Sequence, residues 1–300
     1  MRTKKGIAAF LAAVMIAGGM TVPAKVQADE VDAPYLALGA DLTEEEKNTV
    51  FGLLGVDAGQ LDQYMVVMVT NEDEHKYLDS YLDASVIGSR ALSSVVVEKK
   101  EKGTGIQVKT SNITYCTTGM YQNALATAGL EDAEIRVAGP FSISGTAALV
   151  GAMKAYGEMT GESIEPENAD AATEELVMTS ELGETLGSQD QAEALIGAVK
   201  DAIVADEVTE PEEIEAVIDD TAKEMNIELS EEDREKIRSL MEKIGQLDLD
   251  VSSLKAQAKE LYQKLDEMNI DISDEQVQGL LSSIASWFGN LWETIKGWLE

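Results

Sequence analysis

The chain has 300 residues with 23 Lys and Arg against 56 Asp and Glu, a formal charge of −33, which excludes an electrostatic nucleic-acid binder and disfavours anionic lipid and polyphosphate ligands. Hydrophobic residues still make up 44%, too many for wholesale disorder and enough for an α/β domain with a helical annex. The one cysteine, Cys116, rules out an intramolecular disulfide and an all-cysteine zinc site, and in TYCTTGMY it reads as a buried, inert thiol.

Residues 1–28 open with Arg2, Lys4 and Lys5, continue through GIAAFLAAVMIAGGM and end on Val26-Gln27-Ala28. That order of charged, apolar and small residues predicts a secretory signal peptide cleaved after about Ala28, with a retained anchor as the alternative. The segment holds four basic residues and no acid, so the remainder carries 19 bases against 56 acids, or −37. Such a chain should attract divalent cations diffusely.

Thr43-Glu44-Glu45-Glu46 has the spacing of a capping box and predicts a helix over 43–54. QYMVVMVT, residues 63–70, is apolar on both parities and predicts a buried central strand. Asn71 is then expected to cap a second helix through about Asp83. ALSSVVVEKKEKGTGIQVKTSNITY, from Ala91, has two β-rich arms flanking a charged, glycine-containing turn, which predicts a β-hairpin. Thr117-Thr118 is placed to cap a helix through Ala128 with Gly129 as its left-handed stop, and a strand follows over 133–138. Residues 104–138 thus form a strand-helix-strand unit, expected to be a parallel crossover. The helix opened by Gly145-Thr146 runs to about Met159, capped by Ser142 or Ser144.

After Gly161 strand signals vanish. Pro166 and Pro211 fall at helix starts, and acidic helical patterning continues to the end. MNIELSEEDREKIRSLMEKI, from Met225, and MNIDISDEQVQGLLSSIASW, from Met268, repeat one pattern. In each, a helix ends at Met-Asn, an apolar pair packs, and Ser230 or Ser273 caps the next helix. Leu254, Ala258, Leu261, Leu265 and Met268 match Ile237, Leu240, Ile244 and Leu247 in spacing, which predicts an antiparallel helical hairpin. The final segment places Leu280, Ile284, Trp287, Phe288, Leu291, Ile295, Trp298 and Leu299 on one broad stripe, with Trp292 also in the tail. The stripe reads as docking into the protein's own core, as a partner or oligomer contact, or as a membrane-surface helix, the contact residues of the last two being Trp287, Phe288, Trp292 and Trp298.

The expected architecture is therefore α/β or α+β. Residues 29–162 form a small four-stranded mixed sheet with helices, and residues 163–300 an acidic, all-α extension.

Motifs with specific chemistry fail on spacing. IRVAGPFSISGTAALV, residues 135–150, looks like a phosphate loop, but five residues separate Gly139 from Gly145 and Thr146 stands where the lysine belongs. The first amides of the helix at Gly145 and Thr146 remain able to hold an anion or a peptide carboxylate. The single imidazole, His75, reads as a surface partner of Asp79 or Glu72 rather than a general base. Glu72, Asp73 and His75 match no metal motif, and DLDVSS from Asp248 lacks the glycine and glutamate of a calcium loop. No cofactor or specific metal site is expected, and no carboxylate pair is singled out for glycoside hydrolysis.

IGSRALSSVVVEK from Ile87, and the stretch GIQVKTSNITYCTTGMYQNALATAGLEDAEIRVAGPFSISGTAALVGAMKAY to Tyr156, resemble the YpuA-like family of secreted Gram-positive proteins, catalogued as domain of unknown function 1002. GADLTEEE, VTNEDEHKYL and MNIDISDEQVQGLL carry the resemblance over nearly the whole chain. It implies export to the envelope or medium and brings no established activity, cofactor or catalytic residue. Its matching segments, 112–121 and 139–148, lie where strands give way to helices, the place where ligands tend to bind in such sheets. Asn112, Thr114, Ser144, Gly145 and Thr146 are the candidate ligand residues. The expected function is an extracytoplasmic, non-enzymatic binding or structural module partnered by an unidentified envelope component. The alternatives are a wall-directed hydrolase using carboxylates and a peripheral membrane protein held by residues 280–300.

Overall fold

A computed structural model describes residues 33–161, 164–251 and 254 of the chain. The leader and the Trp-rich tail, including Trp287, Phe288, Trp292 and Trp298, lie outside the described residues, as do Ser273 and, Leu254 apart, the second arm of the expected helical hairpin. No described helix is long and apolar enough to cross a membrane.

Five strands form one mixed sheet in the order β2-β1-β3-β5-β4, where β1 is Tyr35–Gly39, β2 Met65–Val69, β3 Ser94–Lys99, β4 Ile106–Ile113 and β5 Ala133–Ile143. β1 runs parallel to β2, and β4 parallel to β5, while β3 is antiparallel to both β1 and β5. Four strands therefore point the same way, and their carboxyl ends lie at one edge of the sheet.

The sheet differs from expectation in three ways. It has five strands, because YLALG forms β1, whose five residues are all buried. With both faces covered there is no polar alternation in so short a run to announce a strand. The hairpin does not form. β3 and β4 are strands, but β5 lies between them, pairing Val95 with Val137 on one side and Val108 with Ile135 on the other. The turn that looked like a hairpin loop is a connection over the top of β5, pinned by Asp132, whose Oδ1 accepts the amides of Gly103 and Gly105 at 3.0 and 2.7 Å. Finally, β2 is an edge strand rather than a central one. Val67 and Val69 are buried, while Met65, Val66 and Met68 are about half exposed. Lys154 Nζ donates to the Met68 carbonyl and to Asp73, placing a charge against the open edge, where it opposes further strand pairing.

Helix α1, Glu44–Leu54, carries the expected capping box between Thr43 and Glu46. It packs Val50, Phe51 and Leu54 on Leu36, Leu38, Val96 and Ala138, closing one face of the sheet. Helix α2, Asn71–Leu78, starts one residue earlier than expected in capping terms: Thr70, not Asn71, is the cap, in a capping box with Asp73. It ends at Leu78, and a one-turn helix α3, Ala84–Ile87, follows. Helix α4, Thr118–Thr127, is capped by Thr117 as predicted, and Gly129 takes a φ of 93° beyond its end. β5 continues through Gly139-Pro140 to Ile143, beyond the end of the strand expected over 133–138. Helix α5, Thr146–Thr160, has Gly145 at its cap position, with no side-chain cap from Ser142 or Ser144.

Four further helices follow among the described residues: α6 Pro166–Leu186, α7 Gln189–Ala205, α8 Pro211–Glu224 and α9 Glu231–Ile244. Proline begins α6 and α8, and Ser230 caps α9, as the sequence predicts. Ile227 and Leu229 are buried beneath the last of these turns. One core runs from the other face of the sheet, through α4 and α5, into α6–α9. α4, α6 and α7 pack on one another, and Ala124, Ala172, Ala194 and Ala198 along them are all buried. The same junction holds buried polar residues, Lys200, Glu175, Thr127 and Asn123.

A candidate ligand cleft at the strand ends

An open cleft of about 480 Å³ lies at the carboxyl ends of β4 and β5, within the usual range for small-molecule sites. Five stretches of chain build it. α2 brings Glu74, the segment before β3 brings Arg90, β4 leads to Thr114, β5 leads to Phe141 and Ser144, and the first turn of α5 brings Thr146. Of the five residues singled out in the sequence, Thr114, Ser144 and Thr146 line the cleft. Asn112 and Gly145 support it from behind. Asn112 sits at a β-bulge with a φ of 60° and donates from Nδ2 to the Gly139 carbonyl at 3.1 Å. The Gly145 carbonyl accepts the buried Tyr121 hydroxyl at 2.6 Å.

The parallel pairing of β4 and β5 is continued past the bulge by the Thr114 amide and hydroxyl, which both donate to the Ile143 carbonyl, at 2.8 and 3.0 Å. The Cys116 amide donates to the Ser144 carbonyl at 3.0 Å. These bonds hold the wall in place and turn Ser144 toward Thr146, with the two hydroxyls 3.2 Å apart.

Glu74 is 1% exposed yet lies on the cleft wall. Its Oε1 accepts the Thr146 hydroxyl at 2.7 Å and its Oε2 the Asn71 amide at 3.3 Å. The positive end of α5 thus faces a carboxyl of the protein itself, and the Ala148 amide is taken by Ser93 Oγ at 2.9 Å. Burial pushes the Glu74 pKa up, against the opposing pull of those two hydrogen bonds. Arg90 is engaged on its other side. Its guanidinium grips Glu46 through two hydrogen bonds of 3.2 and 2.7 Å and donates to the Asp41 carbonyl. That grip, with the Thr43 amide, holds Glu46 down to about 2. Phe141 is 49% exposed at the mouth.

Glu74 is the one carboxylate that the described residues bring to this wall, so they do not assemble there the pair a carboxylate hydrolase requires. The acids near it in sequence serve helix ends. Asp73 completes the α2 capping box, and His75 Nδ1 meets Asp79 Oδ1 at 2.5 Å, the expected surface pair. Cys116 is buried, which pushes its thiol up to about 12, far from a thiolate nucleophile.

Sequence reasoning missed Glu74, Arg90 and Phe141. One signal for Glu74 was present: it stands one helical turn before the buried Leu78, so it occupies the core stripe of α2 rather than its solvated face.

The raised carboxyls set a pH dependence. Burial lifts Asp206 from 3.8 to about 6, and Glu74 is raised from 4.5. The folded chain therefore binds protons that the unfolded chain has already released, and stability falls as pH rises through this window. Calorimetry is expected to give a higher Tm near pH 5.5 than near pH 7.5, and Asp206→Asn to narrow that gap.

Comparison with known proteins accounts for most of the chain. A family described as "Protein of unknown function (DUF1002)" matches residues 38–261. The chain belongs to this family. It is also 36% identical over 261 residues to "Uncharacterized protein YpuA" of Bacillus subtilis (strain 168), covering 87% of each chain. No solved structure matches. The family match spans every residue of the cleft, from Glu74 to Thr146.

Proposed function

We propose that this member of the family is exported and acts in the cell envelope as a non-enzymatic binding module, with the cleft between α2, β5 and α5 as its ligand seat. The observation that carries the reading is the convergence of five chain segments on one open cleft at the carboxyl ends of parallel strands, the position at which open α/β sheets hold ligands. The leader pattern of residues 1–28 supports export. An envelope component of unspecified class is the partner.

The test of export is N-terminal sequencing of the protein recovered from the wall and medium fractions of producing cells. A start near Asp29 is expected, and recovery only from cytosol with Met1 retained would defeat the reading. The test of the seat is ligand capture by crosslinking in intact cells. Wild type should capture an envelope component, and Ser144→Trp, which fills the cleft without touching the core, should lose it.

Deleting residues 280–300 separates two of the readings of the tail. If the tail binds the membrane surface, the truncated protein shifts from the membrane fraction to the soluble one. Unchanged fractionation removes that reading.

A further inference from the structure

We propose that the cleft takes a neutral carbohydrate, with a pyranose unit stacked on Phe141 and its hydroxyls bound by the hydroxyl-bearing wall of Thr114, Ser144 and the Glu74–Thr146 pair. This rests on the reading of the cleft as a ligand seat and names what sits there.

Charge is the first argument. Among the described residues Arg90 is the one cation lining the cleft, and its guanidinium is already committed to Glu46 and the Asp41 carbonyl. The helix end that would draw an anion is faced by Glu74, held there by Thr146. An anionic ligand would meet a guanidinium already paired with Glu46, in a chain of formal charge −33, so its desolvation would be poorly compensated. A cationic ligand would find Glu74, but that carboxyl is 1% exposed and both its oxygens already accept hydrogen bonds, from Thr146 and Asn71.

Group chemistry is the second. The wall also includes Ser85, Ser89 and Tyr115. Hydroxyls both donate and accept, which matches the ring of donors and acceptors around a sugar better than the fixed pattern of a peptide backbone. Phe141, 49% exposed at the mouth, supplies the apolar surface for the C–H face of a pyranose. A large aromatic left half in water on a strand end exposes apolar surface that a stacked ring would cover. Because the cleft is open, a chain longer than one sugar unit can pass through it.

The experiment is saturation-transfer NMR and calorimetric titration of the full chain with four probes: N-acetylchitotetraose, cellotetraose, a short poly(glycerol phosphate) and a tetra-alanine peptide. At least one neutral oligosaccharide is expected to bind, with saturation strongest on ring C–H protons. Phe141→Ala should weaken it roughly five- to tenfold, and Ser144→Ala should weaken it by roughly threefold, both with unchanged melting. Sugar binding that ignores Phe141→Ala and Ser144→Ala overturns the assignment. If only the phosphate polymer or the peptide binds, and Ser144→Ala weakens it, the carbohydrate is wrong while the cleft remains a ligand seat. If none of the four probes binds at millimolar concentration, the carbohydrate assignment is overturned, and the crosslinking experiment then decides the seat independently.

Discussion

Lys200→Met is expected to lower stability by about 3–5 kcal/mol, the usual cost of leaving one partner of a buried ion pair alone. For a chain of this size that is a fall in Tm of roughly 6–20 °C. Lys200, on α7, is 1% exposed, and its ammonium uses all three donors: the Asn123 carbonyl at 2.8 Å, Thr127 Oγ1 at 3.1 Å and Glu175 Oε1 at 2.8 Å. Glu175, on α6, is fully buried and accepts the Thr127 hydroxyl on its second oxygen at 2.5 Å. The cluster joins α4 of the sheet domain to α6 and α7 of the helical region, so one substitution strikes the seam between them. Burial lowers the Lys200 pKa, while Glu175 works to raise it. Methionine has nearly the right volume and removes the ammonium, so the loss reports the stranded carboxyl rather than a cavity. The double variant Glu175→Leu with Lys200→Met should recover most of the lost stability, because an apolar pair replaces a buried ionic one at little net cost. Calorimetry of the two variants beside wild type checks both statements. A single-variant loss under about 1 kcal/mol would mean that water reaches Glu175 and relieves it.

The seam illustrates which parts of the fold were legible in the sequence. Local rules worked where the physics is local. Thr43 with Glu46, Thr117 before α4, Ser230 before α9 and the prolines at 166 and 211 each satisfy or spare helix-end amides within a turn of chain, so spacing reveals them. Pairing between distant strands is not local. The alternation of SVVVEK and of IQVKTSNI announces two strands correctly, yet nothing within either says that Val95 and Val108 each face β5 rather than one another. β2 was misplaced for a related reason. MVVMV is apolar on both parities, but α1 stops short of it and leaves Val66 and Met68 half in water.

The cleft divides in the same way. Thr114, Ser144 and Thr146 were readable because a strand-to-helix junction is a short-range feature. Glu74 and Arg90 reach the same wall from 72 positions before Thr146 and from the chain ahead of β3. Their arrival depends on how α2 and the 88–93 segment pack, which only the assembled sheet determines. Lys200 and Glu175 belong to the same class: in sequence they look like ordinary charges on acidic helices, and only helix rotation places them inside.

Gly145→Ala is the second large expected effect, with a loss of about 2–6 kcal/mol assembled from two sources. Gly145 has a φ of 100°, beyond the left-handed well that an alanine tolerates, and forcing a Cβ there costs about 1–3 kcal/mol. The added carbon would also lie 2.6 Å from the Tyr121 hydroxyl and 2.7 Å from Ile113 Cγ2, and overpacking of this kind costs about 1–3 kcal/mol. Tyr121 cannot retreat cheaply, since it is fully buried and its hydroxyl is the donor to the Gly145 carbonyl. Combining Gly145→Ala with Tyr121→Phe removes one of the two clashes and should restore only part of the loss, because the backbone strain and the Ile113 contact persist. Because Gly145 joins Ser144 to Thr146, the substitution should also displace both hydroxyls of the cleft and weaken ligand binding. Ser144→Ala by contrast should weaken binding at constant Tm. Measuring melting and affinity on both variants therefore separates the residue that shapes the cleft from the residue that touches what it holds, and equal behaviour of the two variants would refute that division.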